Sequence, residues 1–128
     1  MSVVFLDADQ IVAMHEVLLE RWGGASGGGH RGQSYQGADA AVQAVKNSYY
    51  ESLEELAAAY AVYIVQGHVF MDGNKRTGAA ALTTFLEVND HPSKVSPSRL
   101  QSIMIELQER SESGERTDTL IAWIAKQI

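Results

Sequence analysis

The stretch from Leu53 to Val65 constrains the fold most, because Leu53, Leu56, Ala57, Tyr60, Ala61, Ile64 and Val65 recur at helical spacing and the residues between them are also largely apolar after Glu55. A helix that is apolar on nearly every side has to be surrounded by other elements rather than laid on a surface. Ser52 followed by Glu55 supplies a capping box for its start. The apolar run from Leu56 to Val65 is too short to cross a bilayer. This segment therefore reads as the central helix of a helical protein.

The remaining punctuation predicts its neighbours. Asp7 with Gln10 caps a first helix over Ala8 to Trp22, whose apolar positions Ile11, Met14, Leu18 and Leu19 share a face with His15 and Trp22. Residues 23–37 hold seven of the eleven glycines, so a mobile loop is expected there. A second helix is expected over Ala38 to Ser48, then a connector at Tyr49-Tyr50-Glu51. A fourth begins near Asn74 and stops near Asn89-Asp90, and its small residues Gly78, Ala79, Ala80 and Ala81 allow close backbone approach. Ser96-Pro97 opens a fifth, and a last one starts near Thr117 after a loop containing Gly114. Strand patterns scarcely occur. The expected fold class is all-α, a compact bundle of about six helices, with residues 1–128 forming one domain.

Charge and composition narrow the function. Ten Lys and Arg against sixteen Asp and Glu give a formal net charge of −6, which argues against direct nucleic-acid binding through a broad basic surface. With no cysteine, thiolate metal sites and disulfides are excluded. No cleavable export signal is recognisable at Met1 to Asp7, so a soluble cytoplasmic protein is expected, without membrane association.

Chemistry concentrates at the junction of the third and fourth helices. His68-Val69-Phe70-Met71-Asp72-Gly73-Asn74-Lys75-Arg76 brings a base, a carboxylate, an amide and two cations around a flexible turn. Leu56, Tyr60, Ile64 and His68 are four residues apart, which would set His68 on one face at the rim of the core. Alone, such a histidine is most simply a partly buried residue at a negative helix end. The assortment that follows it favours chemistry. Gly73 permits a backbone that presents successive N–H groups to an anion, and the helix starting behind it adds a positive end. Asp72 either caps that helix or holds a magnesium ion against bound phosphates. Asn74 suits a turn, and Phe70 an apolar anchor for the loop. Lys75 and Arg76 oppose the dipole of the helix they begin and so call for a compensating anion.

The segment His68 to Thr77, HVFMDGNKRT, resembles the signature of the Fic superfamily, and its GNKRT form is that of the Doc (death-on-curing) toxins. The likeness extends to the first helix with Arg21-Trp22-Gly23-Gly24 and to the fourth helix ending in Phe-Leu and then Asn. This resemblance implies that His68 is the general base for a target threonine, that Asp72 helps place Mg2+, and that Gly73, Asn74, Lys75 and Arg76 hold the phosphates of ATP and stabilise charge during transfer. It also implies a flap that aligns the target, for which Tyr49 and Tyr50 are the candidates by position. Lys75 stands where AMP-transferring relatives have glycine, and Ala79 where they have a second arginine, which favours the Doc branch and transfer of the γ-phosphate. Gly73, where some Doc proteins have alanine, points partway back toward AMP transfer. The family further implies elongation factor Tu as substrate, arrest of translation, and a cognate antitoxin as partner. Ser111 and Glu115 are a faint match to an autoinhibitory pattern that Arg116 breaks, and are expected to be solvated loop.

A P-loop is excluded by the spacing around Gly73. A metal hydrolase would need His68 and Asp72 joined by His15, His30 or His91, without a paired-histidine helix motif to support it. A non-catalytic module that captures an anion or nucleotide remains the rival from another functional class.

Overall fold

The computed structural model describes residues 2–23 and 31–128. Among them are six helices and no strands: α1 (Ala8–Trp22), α2 (Arg31–Lys46), α3 (Leu53–Gln66), α4 (Asn74–Val88), α5 (Pro97–Glu112) and α6 (Thr117–Gln127). The all-α expectation holds. α3 is the axis, with Leu56 to Val62, Ile64 and Val65 all buried, and it packs against α2, α4, α5 and α6. α1 closes the bundle over α2 and α4.

The contact between α3 and α4 places the site. Gly78 of α4 sits so close to α3 that a Cβ there would lie 3.2 Å from Val65 Cγ2 and 3.4 Å from the Ala61 carbonyl oxygen. Ala57, Ala61 and Ala81 are buried as well, so two backbones meet with little side-chain bulk between them. Such small-residue packing fixes the end of α3 beside the start of α4.

Side chains that imitate backbone pairing hold the extended N-terminal segment down. The Tyr60 hydroxyl accepts from Leu6 N–H at 2.9 Å and donates to the Leu6 carbonyl at 3.1 Å. Asn89 repeats the device on Val4, accepting from its N–H at 2.8 Å and donating to its carbonyl at 2.9 Å. Burial of Tyr60 pushes its phenol up to about 12, since the charged form has no water to stabilise it.

Two sequence expectations are corrected here. α2 begins at Arg31 instead of near Ala38, so residues 31–37 of the glycine-rich stretch are helical, while the remainder of the expected loop, residues 24–30, lies outside the described residues. The buried apolar positions Ala38, Ala41, Val42 and Val45 anchor the helix, and this packing outweighs the poor propensity of the glycines ahead of them. α3 ends at Gln66, so His68 is not on its face. Gly67 caps the helix with φ −78°, and His68 takes the left-handed position with φ 46°. His68 N–H bonds to Val65 O and Val69 N–H to Ile64 O, the paired bonds of a Schellman ending in which glycine usually occupies the left-handed residue.

Candidate active site

The loop between α3 and α4 is braced from within and from behind. Asn74 accepts from Phe70 N–H at 2.9 Å through Oδ1 and donates to the Phe70 carbonyl at 2.7 Å through Nδ2. Its side chain thereby braces the loop through Oδ1 and one of the two Nδ2 hydrogens, leaving the second Nδ2 hydrogen and the backbone N–H as donors. Phe70 is buried, as expected of an anchor, and stacks on the ring of His15 with centroids 3.8 Å apart and planes within 6°. Gly73 has φ 83°, a left-handed conformation that glycine adopts at little cost, and this turns the chain into α4.

Asp72 sits just ahead of that turn, and its Oδ1 accepts from the Gly73 N–H at 2.8 Å. The expected cradle is thus narrower than the motif suggested, because this N–H is already engaged. No side chain caps α4, so the backbone N–H groups of its first turn, at Asn74, Lys75 and Arg76, are left without a capping partner, as at helix starts able to receive an anion. Lys75 and Arg76 are exposed beside them, and Lys75 makes no ion pair among the described residues. The Arg76 guanidinium lies over the Trp22 ring, 5.6 Å from its centroid. That contact leaves the planar donor fork on the cleft wall instead of free in solvent.

These parts open on one space. A cleft of about 710 Å³ is lined by His68, by Asp72 to Arg76, by Leu18 and Trp22 of α1, and by Gln101, Met104, Ile105 and Gln108 of α5. The base candidate and the cationic helix start thus face the same volume, which is within the range of small-molecule sites. Its far wall is apolar where Met104 and Ile105 line it.

Other candidates lie elsewhere. Tyr49 is 99% exposed and Tyr50 half-buried in the connector ahead of α3, whereas His68 follows the other end of that helix. Fourteen residues of α3 separate the two ends by about 20 Å. Neither tyrosine lines the cleft. Burial pushes the Tyr50 phenol up, and nearby Tyr63, Asp118 and Glu55 add to the effect. His91 pairs with Glu54 at 3.2 Å, and His30 lies outside the described residues. Among the described residues no three His, Cys, Asp or Glu side chains converge as a metal site. Glu115 is held by Arg110, whose Nε and an Nη donate to it at 2.7 and 2.6 Å, and that guanidinium lowers its carboxyl pKa. It does not line the cleft.

The sequence offers His15 only as a member of a possible metal set, and Trp22 no role in the site. Their signal was spacing: His15, Leu18 and Trp22 fall three and then four residues apart, so they share one face of α1. That face meets the loop and the cleft.

A braced loop enters an uncapped, cation-bearing helix whose cleft is also lined by a histidine, an arrangement chemically suited to an anionic ligand. Residues 5–86 match the Fic/DOC family, a span that runs from the N-terminal segment through α1, α2, α3 and most of α4. The chain belongs to that family. It is similar to the protein named "Protein kinase doc" of Escherichia phage P1, with 33% identity over 86 residues, covering 66% of this chain and 67% of that protein. No helix among the described residues is long and apolar enough to cross a membrane.

Proposed function

We propose that this protein transfers the γ-phosphate of ATP to a hydroxyl of a protein, with elongation factor Tu as the substrate, and that it acts as the toxin of a toxin–antitoxin pair in the cytoplasm. The observation that carries this reading is the shared cleft, in which His68 faces the first turn of α4 together with Lys75 and Arg76. Membership of the Fic/DOC family and the kinase name of the phage P1 relative support it.

In this reading His68 accepts the proton of a target threonine hydroxyl as its oxygen bonds to the γ-phosphorus and the bond to the β,γ-bridging oxygen breaks, releasing ADP. Exposure of His68 at the cleft lets a macromolecular hydroxyl reach it. The N–H groups at the start of α4, with Lys75 and Arg76, hold phosphate oxygens and offset the charge that builds on them. Asp72 fits a magnesium ion: Oδ1 is engaged on Gly73, Oδ2 has no hydrogen-bond partner among the described residues, and magnesium in nucleotide sites commonly uses one or two carboxylates with phosphate and water. When bound, Mg2+ would neutralise phosphate charge. Tyr49 and Tyr50 enter this reading only as a surface for the target at a distance from the cleft.

AMP transfer is the second reading, favoured by Gly73 in the turn and opposed by Lys75 and by Ala79 in the second-arginine place. Incubation with Mg2+, purified elongation factor Tu and ATP labelled at either the α- or the γ-phosphate separates the two. Label on the factor from the γ position alone is expected. Label from the α position establishes AMP transfer, and label from neither overturns this substrate assignment.

A further inference from the structure

We infer that His15 is a positioning residue for the phosphate-binding turn, acting through the peptide plane between Asp72 and Gly73 without touching the substrate. The inference rests on the proposed transferase reading of the cleft. His15 lies on α1, 57 residues away in sequence from the carbonyl it holds, and is only 3% exposed. Its Nε2 is 2.8 Å from the Asp72 carbonyl oxygen. A carbonyl can only accept, so the ring must carry its proton on Nε2.

The same peptide plane is held on its other side. Gly73 N–H points to Asp72 Oδ1 at 2.8 Å, so the plane is gripped at its oxygen by α1 and at its nitrogen by the carboxylate. Since N–H and C=O of a trans peptide point in opposite directions, fixing one fixes the other. The plane in turn sets where Asp72 directs its second oxygen and where the N–H groups of Asn74 to Arg76 point.

Two further contacts make the imidazole a template rather than a filler. It stacks on Phe70, whose N–H and carbonyl are those held by Asn74, so both ends of the loop bear on one ring. A Cβ on Gly73 would come 3.5 and 3.6 Å from its Cδ2 and Nε2, so the left-handed residue rests against the ring edge. A leucine in this place would fill the volume yet leave the Asp72 carbonyl without a donor. A buried polar ring in an otherwise apolar stripe of α1 is explained by that bond.

His15→Phe keeps a flat ring against Phe70 and removes the donor, whereas His15→Gln keeps an N–H donor and removes the aromatic stack. Both are compared with the full-length wild type for transfer of label from ATP to elongation factor Tu with Mg2+ and for amide hydrogen exchange at Gly73. For His15→Phe we expect kcat to fall roughly 10- to 100-fold, the size of effect that a small misplacement of reacting groups produces, with KM for ATP moving much less. Exchange at Gly73 should quicken. His15→Gln should recover most of kcat. Wild-type kcat per folded molecule in His15→Phe overturns the inference, even if its melting temperature drops, because that pattern belongs to packing alone. If wild type transfers no label, the transferase reading fails while the exchange measurement still decides: unchanged exchange at Gly73 in His15→Phe overturns the positioning role.

Discussion

A left-handed backbone at a non-glycine residue costs about 1 kcal/mol, and His68 bears it at φ 46° in an exposed position. A glycine there would stabilise the fold, so the turn itself does not require the imidazole. We predict that His68→Gly raises stability by about 1 kcal/mol relative to wild type in urea unfolding, while transfer activity falls at least ~100-fold. A stable His68→Gly that keeps full activity would remove His68 from the chemistry. The neighbouring Gly67 is not the left-handed residue: its φ is −78° and its need is for space, since a Cβ would lie 2.5 Å from the Tyr63 carbonyl oxygen. Four-residue spacing carried His68 onto the helix face on paper, and only the Schellman bonds take it off. Asn74 was legible as a turn residue but not as the partner of Phe70, because hydrogen bonds between a side chain and a backbone four residues earlier leave no periodic trace. We expect Asn74→Ala to cost about 1 to 3 kcal/mol, since it leaves the Phe70 N–H and carbonyl without their partner.

At the scale of elements, the central helix was readable because a run that is apolar all round admits few placements, and the capped starts at Asp7, Ser52 and Ser96 appear where their sequence signals lie. α2 was half-hidden. Glycine content announces chain entropy, but not that Gly37 is the point where α2 passes Val69, whose Cγ1 and carbonyl oxygen would be 3.4 and 3.5 Å from an added Cβ. Those distances are tolerable, and alanine is the better helix former, so Gly37→Ala should raise stability by about 0.5 to 1 kcal/mol in urea unfolding. Gly78 is the opposite case. Its Cβ position is 3.2 Å from Val65 Cγ2 and closely backed by Ala61, so Gly78→Leu must push α4 from α3, at a cost of about 1 to 3 kcal/mol or more. Because that seam also sets the His68 end against the α4 start, activity per folded molecule should fall with stability. A destabilised Gly78→Leu with unaltered turnover would show that the seam does not govern the site.

Across the whole molecule, the cleft draws its walls from α1, the α3–α4 loop, α4 and α5, so it exists only when these elements are packed together. The motif could be read locally, but its enclosure could not, since Trp22 and Ile105 are assembled from opposite parts of the chain. The extended N-terminal segment belongs to the same assembly, fastened to the core through Tyr60, and this gives folding a measurable alkaline limit. An unfolded tyrosine titrates near 10, whereas burial moves Tyr60 to about 12. Between those values the unfolded chain has lost a proton that the folded protein still binds, so stability is complete below pH 10 and declines as pH rises toward 12. The loss from this group is on the order of 2 to 3 kcal/mol by the upper end. Tyr50 and Tyr63, also pushed up by burial, act in the same direction. Tyr60→Phe should be less stable than wild type at neutral pH by about 1 to 3 kcal/mol, because Leu6 N–H and C=O lose their partner. Its stability should then vary much less between pH 10 and 12, so the two curves converge. Parallel wild-type and Tyr60→Phe curves in urea unfolding across that range would show that the phenol is not the proton holding the N-terminal segment in place.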